Sequence, residues 1–265
     1  MVLSGWQSFV EAIFADDLRT AADIANELRA PGFGRIDTLR VVTLNDLELG
    51  EGQAARYRRL VDEDSALGSE LRPLKPSRFA AASKMVRESM ALLDAAAPEI
   101  VDEFRTLVHE IVLVERIVTR PFSASSFQLW GALFLKLDPN TTRIGIAEAL
   151  AHETAHALLF GLSMGNPLVE NPAEERYPSP IRRDPRPMDG VVHATYVIAR
   201  MHYAMTRLLE SGLLTEEETK LAAEAKARHR GYYAQGLPVI AAHARWRPEG
   251  KAAFVSAQAY MSGIH

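Results

Sequence analysis

The chain has 265 residues, 48% of them hydrophobic and 24% charged, with a formal net charge of −4. That length can bury a full core, and a mildly acidic balance without a basic block argues against nucleic acid as a partner. No cysteine is present, which excludes disulfides, thiolate zinc sites, cysteine-held iron–sulfur clusters and cysteine nucleophiles.

The same absence fits a reducing compartment, so the expected location is cytoplasmic. The opening "MVLSGWQSFVEAIF" lacks the basic start and long apolar core of a signal peptide. No segment is apolar for long enough to span a bilayer, so no membrane partner is expected. Oligomeric state is not legible.

In chain order, the apolar spacing of Phe9, Ile13, Phe14, Leu18, Ala21, Ile24 and Leu28 predicts a first helix over residues 8–30, stopped by "PGFG". "RVVTLN" reads as a short strand. Residues 63–76 are polar and proline-bearing and read as a loop. "SRFAAASKMVRESMALLDAAA" from Ser77 predicts a second helix, and "APEIVDEFRTLVHEIVLV" a third, ending near Glu115. The stretch 115–142 is rich in β-branched, aromatic and serine residues and predicts two or three short strands closing at "DPN". Within it, Ser126 and Gln128 alternate onto one strand face.

The next helix is predicted from Arg143 to about Met164, capped by Thr141 or Thr142. A long proline-rich loop follows, "NPLVENPAEERYPSPIRRDPRPMDG". After it comes the helix "GVVHATYVIARMHYAMTRLLES", with Asp189 or Gly190 as its cap. "LLTEEETKLAAEAKARHRGYYAQGLPVIAAHARW" predicts one or two more helices, opened by a capping box from Thr215 to Glu218. The expected class is mainly α with a small β-sheet. Its centre is a zincin-like active-site helix beside a short sheet, surrounded by helices. One catalytic domain over 1–265 is expected, with a helical N-terminal portion (1–115) and a metal-site portion (116–265).

The chemistry concentrates in "LAHETAHALLF". His152 and His156 lie at i and i+4, so their imidazoles leave one helix face a turn apart and can converge on one ion. Glu153 projects about 100° round from His152, where a glutamate activates metal-bound water in metallopeptidases. A third ligand is needed. Glu170, Glu174 and Glu175 lie in the polar loop, where solvated carboxylates are the ordinary case. His193 lies in an apolar helix start behind a constrained turn, and is preferred. His109, His202, His229 and His243 are read as structural.

"SPIRRDPRPMDGVVHATYVIARM" downstream of the HExxH run resembles the HExxH-type peptide-modification proteins, understood as α-ketoglutarate-dependent peptide β-hydroxylases of ribosomal peptide biosynthesis. The resemblance covers about Ser123 to Met205. It implies an iron(II) centre on His152, His156 and His193, with α-ketoglutarate and dioxygen as cosubstrates and a precursor peptide as substrate. The cosubstrate's distal carboxylate suits an arginine fork, with Arg186 favoured, then Arg182, then Arg200. Glu153 is left without a required role as a base. The alternative is a zinc metallopeptidase using Glu153 as its catalytic base.

Overall fold

A computed structural model describes residues 39–61, 70–116, 122–164 and 166–263, together with residues 17, 19, 20, 22 and 23. Among these residues the chain is α+β and mainly helical, with eight helices and a mixed five-stranded sheet. The first predicted helix, over 8–30, falls almost wholly outside the described residues. Among the described residues no helix is long and apolar enough to cross a membrane.

The chain divides into two compact units, Met1–Lys84 with Phe104–Asn140, and Met85–Glu103 with Thr141–His265. The division runs through two helices rather than near residue 115. The N-terminal portion is not simply helical either, since it contributes three strands.

The first unit holds the sheet. Strands β1 (Arg40–Thr43), β2 (Leu71–Pro73), β3 (Glu110–Arg116), β4 (Phe122–Ser125) and β5 (Ala132–Lys136) are joined partly by the short helices α1 (Asp46–Leu49) and α2 (Gln53–Leu60). The spatial order is β1-β3-β5-β4. β3 pairs parallel with β1 and β5, placing Ile111 beside Val41 and Leu133. β4 pairs antiparallel with β5, and β2 antiparallel with the later half of β3.

The residues from Glu110 onward, expected to extend the third helix, form the central strand instead. The helix that precedes it stops at Leu107. Ile111, Val112, Leu113 and Val114 are all buried. A continuous apolar, β-branched run suits a strand covered on both faces, and its length alone does not separate it from a buried helix. Ser126 and Gln128 lie in the turn after β4 rather than on a strand face. Ser126 Oγ donates to the Leu60 carbonyl at 2.7 Å. Two charged side chains described in this unit are buried: Lys136, which pairs with Asp138 at 2.9 Å, and Glu110, which accepts hydrogen bonds from Arg40 (2.6 Å) and Tyr57.

The helices α3 (Pro76–Ala96) and α4 (Pro98–Leu107) run across the division. The second unit adds α5 (Arg143–Ser163), α6 (Met188–Glu210), α7 (Glu216–His243) and α8 (Pro248–Ser262). Its core combines Ala155 and Leu159 of α5, Val191, Val192 and Ile198 of α6, Tyr233 and Ile240 of α7, and Phe254 of α8. α6 and α7 approach closely at Gly236, where a methyl group would run into the Thr195 side chain. The Thr215–Glu218 capping box is present at the start of α7. Glu218 also takes a two-pronged hydrogen bond from Arg143, at 2.8 and 2.9 Å, tying α7 to the start of α5.

Candidate metal centre

The helix that carries the HExxH residues is fixed at both ends. Thr142, in an extended conformation, accepts from Gly145 N at 3.0 Å, satisfying one of the donors every helix start leaves open. At the other end Met164 adopts a left-handed conformation (φ 49°), which closes the helix. Between these caps His152 and His156 sit one turn apart, with ring centroids at 4.9 Å and planes at 61°.

His193 arrives from α6. Its ring centroid is 5.9 Å from that of His156, with the planes only 21° from parallel, and Phe160 lies beside both rings. The packing of α5 on α6 therefore brings together the three histidines singled out from the sequence. His152 and His193 keep 25% and 17% of their side-chain surface exposed, so the cluster is reachable from solvent.

Three imidazoles on one ion, each nitrogen about 2.1 Å away, would place neighbouring ring centres roughly 4.5–5.2 Å apart. The His152–His156 pair meets that spacing, and the His156–His193 pair is somewhat wide. Accordingly, no group of three His, Asp or Glu donors among the described residues is closed round one point as it stands. The His156–His193 centroids would have to close by roughly an ångström to reach that range.

Electrostatics favour the ligand form of His156 and His193. His156 is held well below the usual imidazole range by burial, and then by its neighbours His152 and His193. Burial also lowers His193, against the opposing pull of Asp189. A neutral imidazole has the lone pair a metal requires. The donor set, three histidines with carboxylates close by, fits a divalent first-row ion such as iron(II) or zinc.

Two carboxylates flank the cluster. Glu153 is buried at 1% exposure, and its Oε1 is 3.7 Å from His152 Nε2. The other Nδ1 face of His152 meets Met201 Sδ at 3.4 Å. Asp189, expected from the sequence to cap α6, does not cap it. The helix begins at Met188 behind Pro187, with no side-chain cap. Asp189 Oδ1 instead accepts from Leu168 N at 2.6 Å, and Oδ2 lies 3.6 Å from His193 Nε2. The residue thus links the start of the long loop to the third histidine. The signal that identifies it is the same i,i+4 spacing that marks His152 and His156.

The remaining acidic and basic candidates are dispersed. Glu175 is hydrogen-bonded by Tyr177 and Arg245, and Glu170 and Glu174 are exposed. Arg182 and Arg186 are exposed on the loop, where the Arg186 backbone pairs with Tyr177. Arg200 is already engaged by Glu103 in an ion pair, which weakens it as a receptor for a second carboxylate.

The other described histidines are occupied elsewhere. His229 is bonded to Glu148 at 2.7 Å, His202 contacts Tyr260 OH at 2.8 Å, and His243 packs against Tyr177. His109 lies against Gly131, leaving no room there for a side chain. No protein-family model matches the chain, and no curated protein matches it.

Proposed function

We propose that this protein is an iron(II)- and α-ketoglutarate-dependent dioxygenase that hydroxylates a side-chain carbon, a β-carbon, of a ribosomally made peptide. The observation that carries the reading is the meeting of His152, His156 and His193 from two helices. They occur in a sequence where HExxH precedes "SPIRRDPRPMDGVVH". On this reading α5 is the active-site helix of a zincin-like core.

His152, His156 and His193 would hold the metal through neutral imidazoles. Three histidine ligands would leave room on the ion for small molecules. When bound, iron(II) supplies dioxygen activation coupled to decarboxylation of α-ketoglutarate to succinate. Asp189 orients the His193 ring from behind, as carboxylates do for metal-bound imidazoles. Arg186, then Arg182, receives the distal carboxylate of the oxo-acid. Both are exposed and lie on the loop that Asp189 anchors. Arg200 ranks last because Glu103 neutralises it.

The test is reconstitution of the protein with iron(II) under anaerobic conditions. α-Ketoglutarate, oxygen and a candidate precursor peptide encoded beside its gene are then added. Succinate and a peptide carrying one added oxygen are expected. If neither forms, while zinc-loaded protein cleaves peptides, the proposal is wrong.

One feature favours a second reading, zinc-dependent peptide hydrolysis. The Glu153 carboxylate is buried beside His152 Nε2, where a general base for water belongs. The hydroxylase reading gives Glu153 only an orienting role.

A further inference from the structure

A pocket of about 200 Å³ lies further along α6, lined by Glu99, Arg200, Tyr203, Ser256, Ala257 and Tyr260. Its two tyrosine rings meet edge to face, with centroids 5.2 Å apart and planes at 86°. They form an aromatic corner, and both walls are fixed. Tyr203 OH donates to Glu99, while Tyr260 OH donates to Thr206 Oγ1 at 3.2 Å and contacts His202 Nδ1.

The charges round the corner do not balance. Arg200 is spent on Glu103, which leaves Glu99 as an excess negative charge with no ion pair among the described residues. Burial raises Glu103 above the usual carboxylate range, and Glu99 presses it in the same direction against the pull of Arg200. A dicarboxylate cosubstrate would meet that excess unfavourably. An organic cation would meet an aromatic corner and a carboxylate together, the combination that holds guanidinium and ammonium groups.

We infer that this pocket is a subsite for a basic side chain, arginine or lysine, of the peptide on which the enzyme acts. The inference rests on the peptide-modifying reading and names part of its substrate. Tyr203 is ten residues beyond His193 on α6, a rise of about 15 Å. An extended peptide covers that distance in roughly four or five residues. The basic residue would therefore lie about four or five positions from the residue modified.

Binding of Nα-acetyl-arginine amide to the metal-free protein, followed by NMR titration, tests the subsite separately from any chemistry. The neutral isostere Nα-acetyl-citrulline amide is the control. Saturable binding, about tenfold tighter for arginine than for citrulline, is expected. Glu99→Gln, an exposed and near-isosteric change, should weaken arginine binding severalfold, and Tyr203→Leu likewise, while Tyr203→Phe retains most of it. Equal binding of arginine and citrulline, no saturation by either, or indifference to Glu99→Gln in a folded variant would each overturn the inference. Since neither iron nor oxygen is present, a protein that binds arginine but hydroxylates nothing refutes only the hydroxylase reading. A hydroxylase that processes peptides equally well without any basic residue refutes only the subsite.

Discussion

His156 and His193 stand face to face across the packing of α5 on α6, their ring centroids 5.9 Å apart and their planes 21° from parallel. Neither helix alone makes this pair. It depends on the apolar residues round it, Ala155 and Leu159 on one side and Val192 and Tyr196 on the other, which lock the two helices together. Burial lowers the pKa of both imidazoles; His152 and His193 lower His156 further, while Asp189 pulls His193 the other way.

If the three histidines hold a metal, that arrangement makes Asp189 a determinant of its affinity. Asp189→Asn keeps the hydrogen bond from Leu168 N but removes the charge 3.6 Å from His193. Iron(II) or zinc affinity should fall about 10–100-fold, the usual effect of losing such an outer partner. His193→Ala should cost more, because it removes a donor. Both effects are read by titration against a chelator of known affinity. Unchanged affinity in His193→Ala would remove His193 from the ligand set.

Glu153 separates the two functional readings. In a peptidase Glu153→Gln removes the base and should abolish hydrolysis. In the hydroxylase the variant should still bind metal and α-ketoglutarate and form succinate at a measurable rate. Parallel assays of peptide cleavage and succinate release on wild type and variant decide between them.

Acid should weaken the fold through His202. Burial, followed by the charges of Lys226, His229 and Arg230, pushes its pKa down to about 4, from 6.5 in an unfolded chain. The folded state then binds fewer protons than the unfolded one between these values. The stability this ring contributes is complete above about pH 6.5 and is lost progressively as pH falls towards 4. Urea midpoints measured across that window should fall with pH. His202→Asn, whose amide can take the place of Nδ1 against Tyr260, should flatten the slope. An equally steep slope in that variant would assign the effect to other groups.

The contact of α6 with α7 at Gly236 is tight enough to serve as a probe of the packing. Gly236→Ala sets a methyl group against Thr195 Oγ1 and should destabilise the protein by about 1–3 kcal/mol. Adding Thr195→Ala removes the obstructing atom and should recover part of the loss, so the two changes will not be additive. Additive effects in chemical denaturation would show that the helices do not meet there.

Local signals carried much of this protein. The HExxH helix, with Thr142 at its start and Met164 at its end, is legible because capping and i,i+4 spacing act within a few residues. The capping box at Thr215 and Glu218 is legible for the same reason. The helix-to-strand change near Glu110 was not. Its apolar run satisfies either structure, and only pairing with β1 and β5, from residues about 70 positions before and 20 after, selects the strand. Asp189 shows a related limit. A carboxylate at a helix start reads as a cap, yet its partners are a backbone amide 21 residues earlier and the histidine one turn ahead.

The residue types of the candidate metal centre were therefore determined by the sequence alone. Two histidines at one-turn spacing need only a helix to share a face, and a helix is a local structure. Which distant groups join them was decided by tertiary packing. It brought His193 to the pair, turned Asp189 towards His193 and committed Arg200 to Glu103. The physical reason is that helix geometry is set by hydrogen bonds four residues apart. The approach of α6 to α5, in contrast, is set by burial of apolar side chains spread over a hundred residues, which no local pattern records.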